Sequence, residues 1–290
     1  MKRIPDSELI LNPDGSVYHL HLKPEHIADN VIVVGDPGRV ALISSYFDTI
    51  DYQISNREFV THTGTYKNTR FTVIATGIGT DNIDIVINEL DAAVNIDLET
   101  KIIKDVKRSL NIVRIGTSGA LQEDIAIDSF LLSEKAMGFD GLMHFYTQSL
   151  NVNEKEIADA FCKHANWNDS LAKPYVVSAS KLLSDRLSKG TRSGITATAS
   201  GFYAPQGRVL RLQPEMPNYP ETLSSFSYNE LKVTNFEMET SALYGLSKAL
   251  GHHACTICAI IANRKTKEFS TNPDLPIQRL ITHVLNNLTI

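Results

Sequence analysis

The sequence predicts an α/β fold, a single domain over residues 1–290 built on a central mixed β-sheet flanked by helices. Short apolar runs alternate with amphipathic stretches along the whole chain, the pattern of strands and helices taking turns. Residues 254–262 form an almost unbroken apolar run, the mark of a strand covered on both faces. Glycine-containing junctions close predicted strands at 35–39, 76–80 and 116–119. In α/β sheets such strand ends are where ligands bind.

At 290 residues the chain exceeds the usual domain size yet suits one large α/β unit. With 42% hydrophobic and 21% charged residues it reads as an ordinary soluble globule with ample core. A net charge of −5 argues against a nucleic-acid or membrane surface. No apolar run approaches the ~20 residues of a membrane span, and no apolar signal core follows Lys2 and Arg3, so the cytoplasm is the expected compartment. Cys162, Cys255 and Cys258 give no disulfide framework. Cys255-Thr256-Ile257-Cys258 matches CxxC, but within a strand side chains three apart face opposite sides, so a reduced structural pair is expected.

Residues 1–30 are polar and punctuated by proline, with 18–22 read as a short extended segment. A buried strand at 31–34 runs into Gly35-Asp36-Pro37-Gly38-Arg39 and a helix. Such a junction offers free backbone N–H groups to an anion, and Arg39 adds a fixed charge; an ordinary tight turn with a surface arginine reads equally well. Residues 50–76 are expected as antiparallel strands with a turn near 67–69. The next junction, Gly77-Ile78-Gly79-Thr80, opens a helix over 81–94 but lacks the third glycine of GxGxxG. No acidic residue closes a following strand either, which discounts a nicotinamide-cofactor fold. Residues 95–110 are charge-dense, with Leu98, Ile102, Val106 and Leu110 at helical spacing, and are expected as a solvated helix without chemistry.

Arg114 lies inside the apolar strand 111–120, where a guanidinium is costly unless it meets an anion. Thr117 and the small residues around it would complete such an anion site. Further on, 125–132 reads as a strand, 158–165 as a helix and 194–199 as a strand that ends in the loop 200–208. Phe202, Tyr203, Gln206 and Arg208 in that loop suit a flat heterocycle, although a surface loop can have the same composition. Residues 213–229 read as loop and 275–290 as an amphipathic helix. Within 230–264 a short strand leads to Glu237 and Glu239, then a helix ended by Gly251, then the buried strand that breaks into Asn263-Arg264-Lys265. The two carboxylates are either helix-start anions answering the macrodipole or ligand-facing groups.

Taken in order, YHL at 18–20, GDPGR at 35–39, NREF at 56–59, TGIG at 76–79, RIGTSGA at 114–120, GFYAPQGR at 201–208, NFEMET at 235–240 and IIANR at 260–264 resemble the nucleoside phosphorylases, specifically the hexameric, uridine phosphorylase-like branch. The resemblance spans nearly the whole chain and implies a distorted, partly barrel-like central sheet. It implies phosphate binding by Gly35, Arg39, Arg114 and Thr117, with Arg57 reaching in from a neighbouring subunit. His19 would also cross that interface, to the ribose 5′-hydroxyl. Glu237, Met238 and Glu239 would hold the ribose. Gln206 and Arg208 would read the uracil edge, with Phe202 stacking and Ile261 lining the base site. Catalysis would fall to Arg114, Glu239, Gln206 and Arg208. Glu237 and Glu239, two apart, would both face the sugar only if the preceding turn is irregular; otherwise Glu237 supports an arginine or the backbone.

The chain departs from the family pattern in three places. The excursion at 95–110 is longer than in the best-known bacterial members, Gly207 stands where an acidic residue is usual, and Phe236 replaces a common Tyr. The glycine is expected to loosen the base loop. The implied activity is reversible phosphorolysis of uridine to uracil and ribose 1-phosphate, with phosphate as co-substrate and no cofactor. A homo-oligomer is implied, with the dimer as minimal active unit and the hexamer as the full assembly. The resemblance leaves room for a metal, such as a monovalent cation, between subunits near Glu58 and Ile78, but no local pattern here demands one. The rival is a purine nucleoside phosphorylase of the same fold; those enzymes carry an Asp just past the last buried strand, where this chain has Asn263 and Arg264. A non-catalytic nucleoside-binding protein is the rival from another class.

Overall fold

The computed structural model describes residues 3–147 and 151–289. Its first half contains β1 (Asn30–Val34), α1 (Pro37–Ser44), β2 (Thr49–Asn56), β3 (Phe59–Tyr66), β4 (Thr69–Ala75), α2 (Thr80–Asn95), the short pair β5 (Ile96–Asp97) and β6 (Ile102–Ile103), and β7 (Asn111–Ala120). Then follow β8 (Phe130–Gly138), α3 (Val152–Ala165), β9 (Tyr175–Ser178), α4 (Lys181–Leu187), β10 (Arg192–Thr198), α5 (Tyr219–Ser225), β11 (Ser227–Tyr228), β12 (Leu231–Glu237), α6 (Thr240–Leu250), β13 (His253–Asn263), β14 (Glu268–Phe269) and α7 (Asp274–Leu288).

The sheet is mixed and partly closed, as expected. From β7 it runs through β13, β8, β10 and β12, and β12 returns to pair antiparallel with β7 at Asn235↔Ala120 and Phe236↔Gly119. These five strands form a barrel-like ring, while β1, β4, β3 and β2 continue outward from β7 as an open wing. The closure positions the site. Because β12 runs against β7, the residues that follow Phe236 travel back along β7 towards Arg114.

Alternation along the strands supplies the two faces of the core. Val31 and Val33 of β1 pack with Ile83, Val86, Ile87 and Leu90 of α2 and Leu243 and Leu246 of α6. Ile32 and Val34 point the other way, into a layer with Val40 and Ile43 of α1, Leu183 and Leu187 of α4, and Leu280, Ile281 and Val284 of α7. Cys255 lies in this second layer and Cys258 beside Gly116; both are free and buried. Among the described residues no helix is long and apolar enough to cross a membrane.

Several local expectations give way. Residues 95–110 contain the β5–β6 hairpin instead of a helix. Lys101 takes a left-handed φ of 56° and its amide closes a turn onto the Asp97 carbonyl, so the spacing of Leu98, Ile102 and Val106 has no helical meaning. The strand read at 125–132 begins only at Phe130, after a loop in which Asp128 is left-handed, and continues to Gly138. Residues 18–22 form a tight turn closed by His21 N–H to Val17 and Val17 N–H to Leu22, not an extended segment. α5 lies inside the stretch read as loop at 213–229, and β9 and α4 escaped the reading altogether.

Candidate active site

A cleft of about 260 Å³ opens where β7, β12 and β13 end, roofed by the loop after β10. Arg114, Thr117, Phe202, Gln206, Arg208, Glu237, Met238, Glu239 and Ile261 all line it. Ser118, Gly119, Phe236, Ala262, Arg264 and Phe269 line it too and were not singled out as site residues from the sequence.

At one end Arg114 is 6% exposed and Glu239 3%. Arg114 Nη2 donates to Glu239 Oε2, and Nη1 lies 3.6 Å from Glu237 Oε2. Burial disfavours the charged guanidinium, but Glu239 and Glu237 outweigh it and raise the Arg114 pKa above its ordinary value. Burial, reinforced by Glu237, raises the Glu239 pKa above the usual carboxylate range in spite of Arg114. Two carboxylates thus share one guanidinium. Arg114 Nε is buried without a hydrogen-bond partner among the described residues, a donor still to be used.

The two carboxylates do different work. Glu237 Oε1 accepts from Thr198 Oγ1 at 2.6 Å, and Oε2 accepts from the backbone amides of Glu239 and Thr240, both at 2.9 Å. Its oxygens are therefore engaged in holding the first turn of α6, the arrangement in which Glu237 supports the backbone and an arginine. Glu239 is the N-cap residue, and its Oε1 accepts from Gly79 N–H at 2.8 Å. Gly79 has φ 98° at the start of α2, a conformation that favours glycine. The junction at 76–80 thus serves the site through a backbone donor.

At the other end the base loop turns through a 3-10 segment, Ala204–Gln206. The Arg208 guanidinium stacks 3.7 Å from the Phe202 ring centroid, and Nη1 donates to Phe202 O at 2.6 Å and Gln206 Oε1 at 2.7 Å. Arg264 Nη2 donates to the Gln206 carbonyl at 3.0 Å. Gly207 is not a loosening residue. Its φ is 68°, and a Cβ there would lie 2.2 Å from Pro220, so glycine lets α5 pack directly against the loop.

Four residues from the sequence reading stand outside the cleft lining. Gly35 packs against the junction at Gly77, and Asp36 caps α1 by accepting from Gly38 N–H at 2.9 Å. Arg39 Nη1 reaches Ile115 O at 3.3 Å; burial, then the nearby Arg114 charge, lowers its pKa. That places its positive charge on the same side as Arg114. Arg57 sits at the two-residue β2–β3 turn, exposed, 5.4 Å from the Tyr18 ring. His19 contacts Glu89 instead of the chain's own cleft.

Residues 29–281 match the family model described as the phosphorylase superfamily. The chain is 33% identical to a uridine phosphorylase of Thermococcus kodakarensis over 88% of this chain and 80% of that one. It is 29% identical to a uridine phosphorylase of Haemophilus influenzae over 87% and 88% respectively. Among solved structures it is similar to a Trypanosoma brucei nucleoside phosphorylase that shows uridine phosphorylase activity, with a TM-score of 0.88 and 31% identity over 97% of this chain and 99% of that one.

Proposed function

The chain belongs to the phosphorylase superfamily, and on that premise we propose that it cleaves uridine with inorganic phosphate, reversibly, to uracil and ribose 1-phosphate. One observation carries the reading beyond the relatives' names. A single cleft joins a buried arginine with a free donor, a carboxylate pair and a loop bearing an amide and a stacked guanidinium.

Each part has a chemical task. Breaking the N-glycosidic bond builds positive charge on the sugar and negative charge on the departing base, while phosphate attacks the opposite face. Arg114 and Thr117, with Arg39 behind them, hold the dianion by charge and hydrogen bonding, which is positioning more than covalent chemistry. Glu239 grips the ribose hydroxyls and sets negative charge beside the developing cation. Glu237 holds the turn that presents Glu239 and keeps Arg114 oriented. Gln206 and Arg208 take up charge on the leaving pyrimidine. No covalent nucleophile and no cofactor enter this scheme.

Arg57 and His19 are assigned to the site of a second copy, so a homodimer is the minimal active unit of this proposal and a hexamer its full assembly. The cytoplasm is the proposed compartment. The deciding experiment is a nucleoside panel, with and without phosphate, read by release of free base. Phosphate-dependent cleavage of uridine with formation of ribose 1-phosphate is expected. Equal uracil release without phosphate would remove the phosphorylase reading, and preference for inosine or adenosine would replace uridine by a purine nucleoside.

A further inference from the structure

Glu89, on α2, collects hydrogen bonds from a segment 70 residues away in sequence. Its Oε2 accepts from the amides of His19 and Leu20, each at 2.9 Å, and its Oε1 meets the His19 ring Nδ1 at 2.5 Å. Asn56 Nδ2 donates to the His19 carbonyl at 2.8 Å. Farther up the same arm, Lys101 at the tip of the β5–β6 hairpin donates to Leu9 O at 2.7 Å and receives the Ile4 N–H on its own carbonyl at 2.9 Å. The arm is tied down at both ends, and the excursion at 95–110 supplies one of the ties.

Anchoring the arm needs only the two amides. The third contact constrains the ring itself: an ionised carboxylate can only accept, so Nδ1 carries the proton that faces it and Nε2 presents a lone pair outward. We propose that Glu89 is a positioning residue for phosphorolysis, holding His19 in the Nδ1–H form so that Nε2 accepts a hydrogen bond from the ribose 5′-hydroxyl of a nucleoside bound by a second copy of this chain. This rests on the uridine phosphorylase reading given above. The hydroxyl keeps its own lone pairs free, so specificity comes from one oriented acceptor.

The test compares kcat/KM for uridine and 5′-deoxyuridine in the unmodified protein, Glu89→Ala, His19→Ala and the double variant. The unmodified protein is expected to favour uridine by about tenfold, the net worth of one such hydrogen bond. Both single variants should lose most of that preference through a higher KM for uridine, and the double variant should lose no more than either alone, because the two residues act as one unit. If Glu89→Ala does not fold, Glu89→Gln, which keeps an acceptor for the amides, takes its place. A preference kept in the Glu89 variant but abolished in His19→Ala, or equal losses on both nucleosides in the Glu89 variant, overturns the proposal. A preference that survives His19→Ala also overturns it, while phosphate-dependent uridine cleavage by the same preparation would leave the phosphorylase reading standing.

Discussion

Arg114 and Glu239 face each other inside the cleft, 125 residues apart in sequence and joined through Nη2 and Oε2. The guanidinium reaches this position by folding back along its own strand over Gly116, where a Cβ would lie 2.1 Å from Nη1 and 2.8 Å from Cys258 Sγ. Gly116→Ala should therefore displace the guanidinium with little change in the fold. A fall in kcat/KM of about 10²-fold, with a raised KM for phosphate, is the expected outcome, since misplacing one electrostatic donor costs that much. Steady-state kinetics at varied phosphate, with a circular dichroism spectrum as control, would check it. Unchanged kinetics would mean that the arginine acts from some other position.

Glu239 gives a prediction in pH. Its folded-state pKa is raised from 4.5, so the native state holds this proton more tightly than the unfolded chain. The stability this contributes is present below the unfolded value and is lost as pH rises through the folded value. Glu239→Gln removes the dependence. Its melting temperature relative to the unmodified protein should climb from about pH 4.5 upward and level off above the raised pKa, even as phosphorolysis falls by about 10² or more. Thermal scans across pH decide it; a difference that is flat with pH would mean that Glu239 is ionised as easily in the native state as in the unfolded chain.

Much of this architecture is written locally. The stretch 230–264 folds as the sequence indicates, because burial, spacing and the Gly251 stop all agree there. Arg114 stands out for the cost of burying a charge. The ring closure does not stand out: the pairing of β12 with β7 joins residues over a hundred positions apart, and nothing local encodes it. Thr198 reads as an ordinary strand threonine, yet its hydroxyl donates to Glu237 and accepts from Ser241 N–H at 3.0 Å. Its only signal is its place at the end of a strand. Arg264 was visible as part of a polar break after an apolar run, but its contact with Gln206 depends on the ring. Apolar spacing alone cannot tell a helix from a hairpin at 95–110: Leu98 and Leu110 pack on the same core layer, while Val106 is exposed.

A shared site makes a prediction about mixtures. Arg57 stands outside the chain's own cleft lining, at an exposed hairpin tip, whereas Arg114 is buried within the cleft. Arg57→Ala and Arg114→Ala proteins should each be nearly inactive. Refolded together they should regain activity, because some interfaces then combine an intact Arg57 with an intact Arg114. Hetero-oligomers verified by mass spectrometry that stay inactive would place Arg57 outside the reaction or in the site of its own chain.

Base choice rests on Gln206 and Arg208. Gln206 is 4% exposed, and its Oε1 is held by Arg208 at 2.7 Å, which leaves the amide nitrogen as the group free to donate to a base oxygen. The Oε1 carbonyl has a second lone pair, so it can accept the ring N3–H of uracil while Arg208 stays in place. Only a base with a matching donor and acceptor pairs both ends of the Gln206 amide. Cytosine lacks the N3 proton, so it leaves one buried group unpaired, at about 1–3 kcal/mol. Two such mismatches amount to roughly 10²–10⁴ in relative kcat/KM. Uridine should accordingly exceed cytidine, inosine and adenosine by that order. Gln206→Ala should lower uridine turnover and narrow the gap while leaving the phosphate KM nearly unchanged, because the amide sits at the opposite end of the cleft from Arg114. Arg208→Ala should lower kcat more than it raises KM, since its help grows as negative charge develops on the departing base. A Gln206→Ala protein that keeps the full preference for uridine would show that the base is read by other groups, with Arg264 the next residue to test.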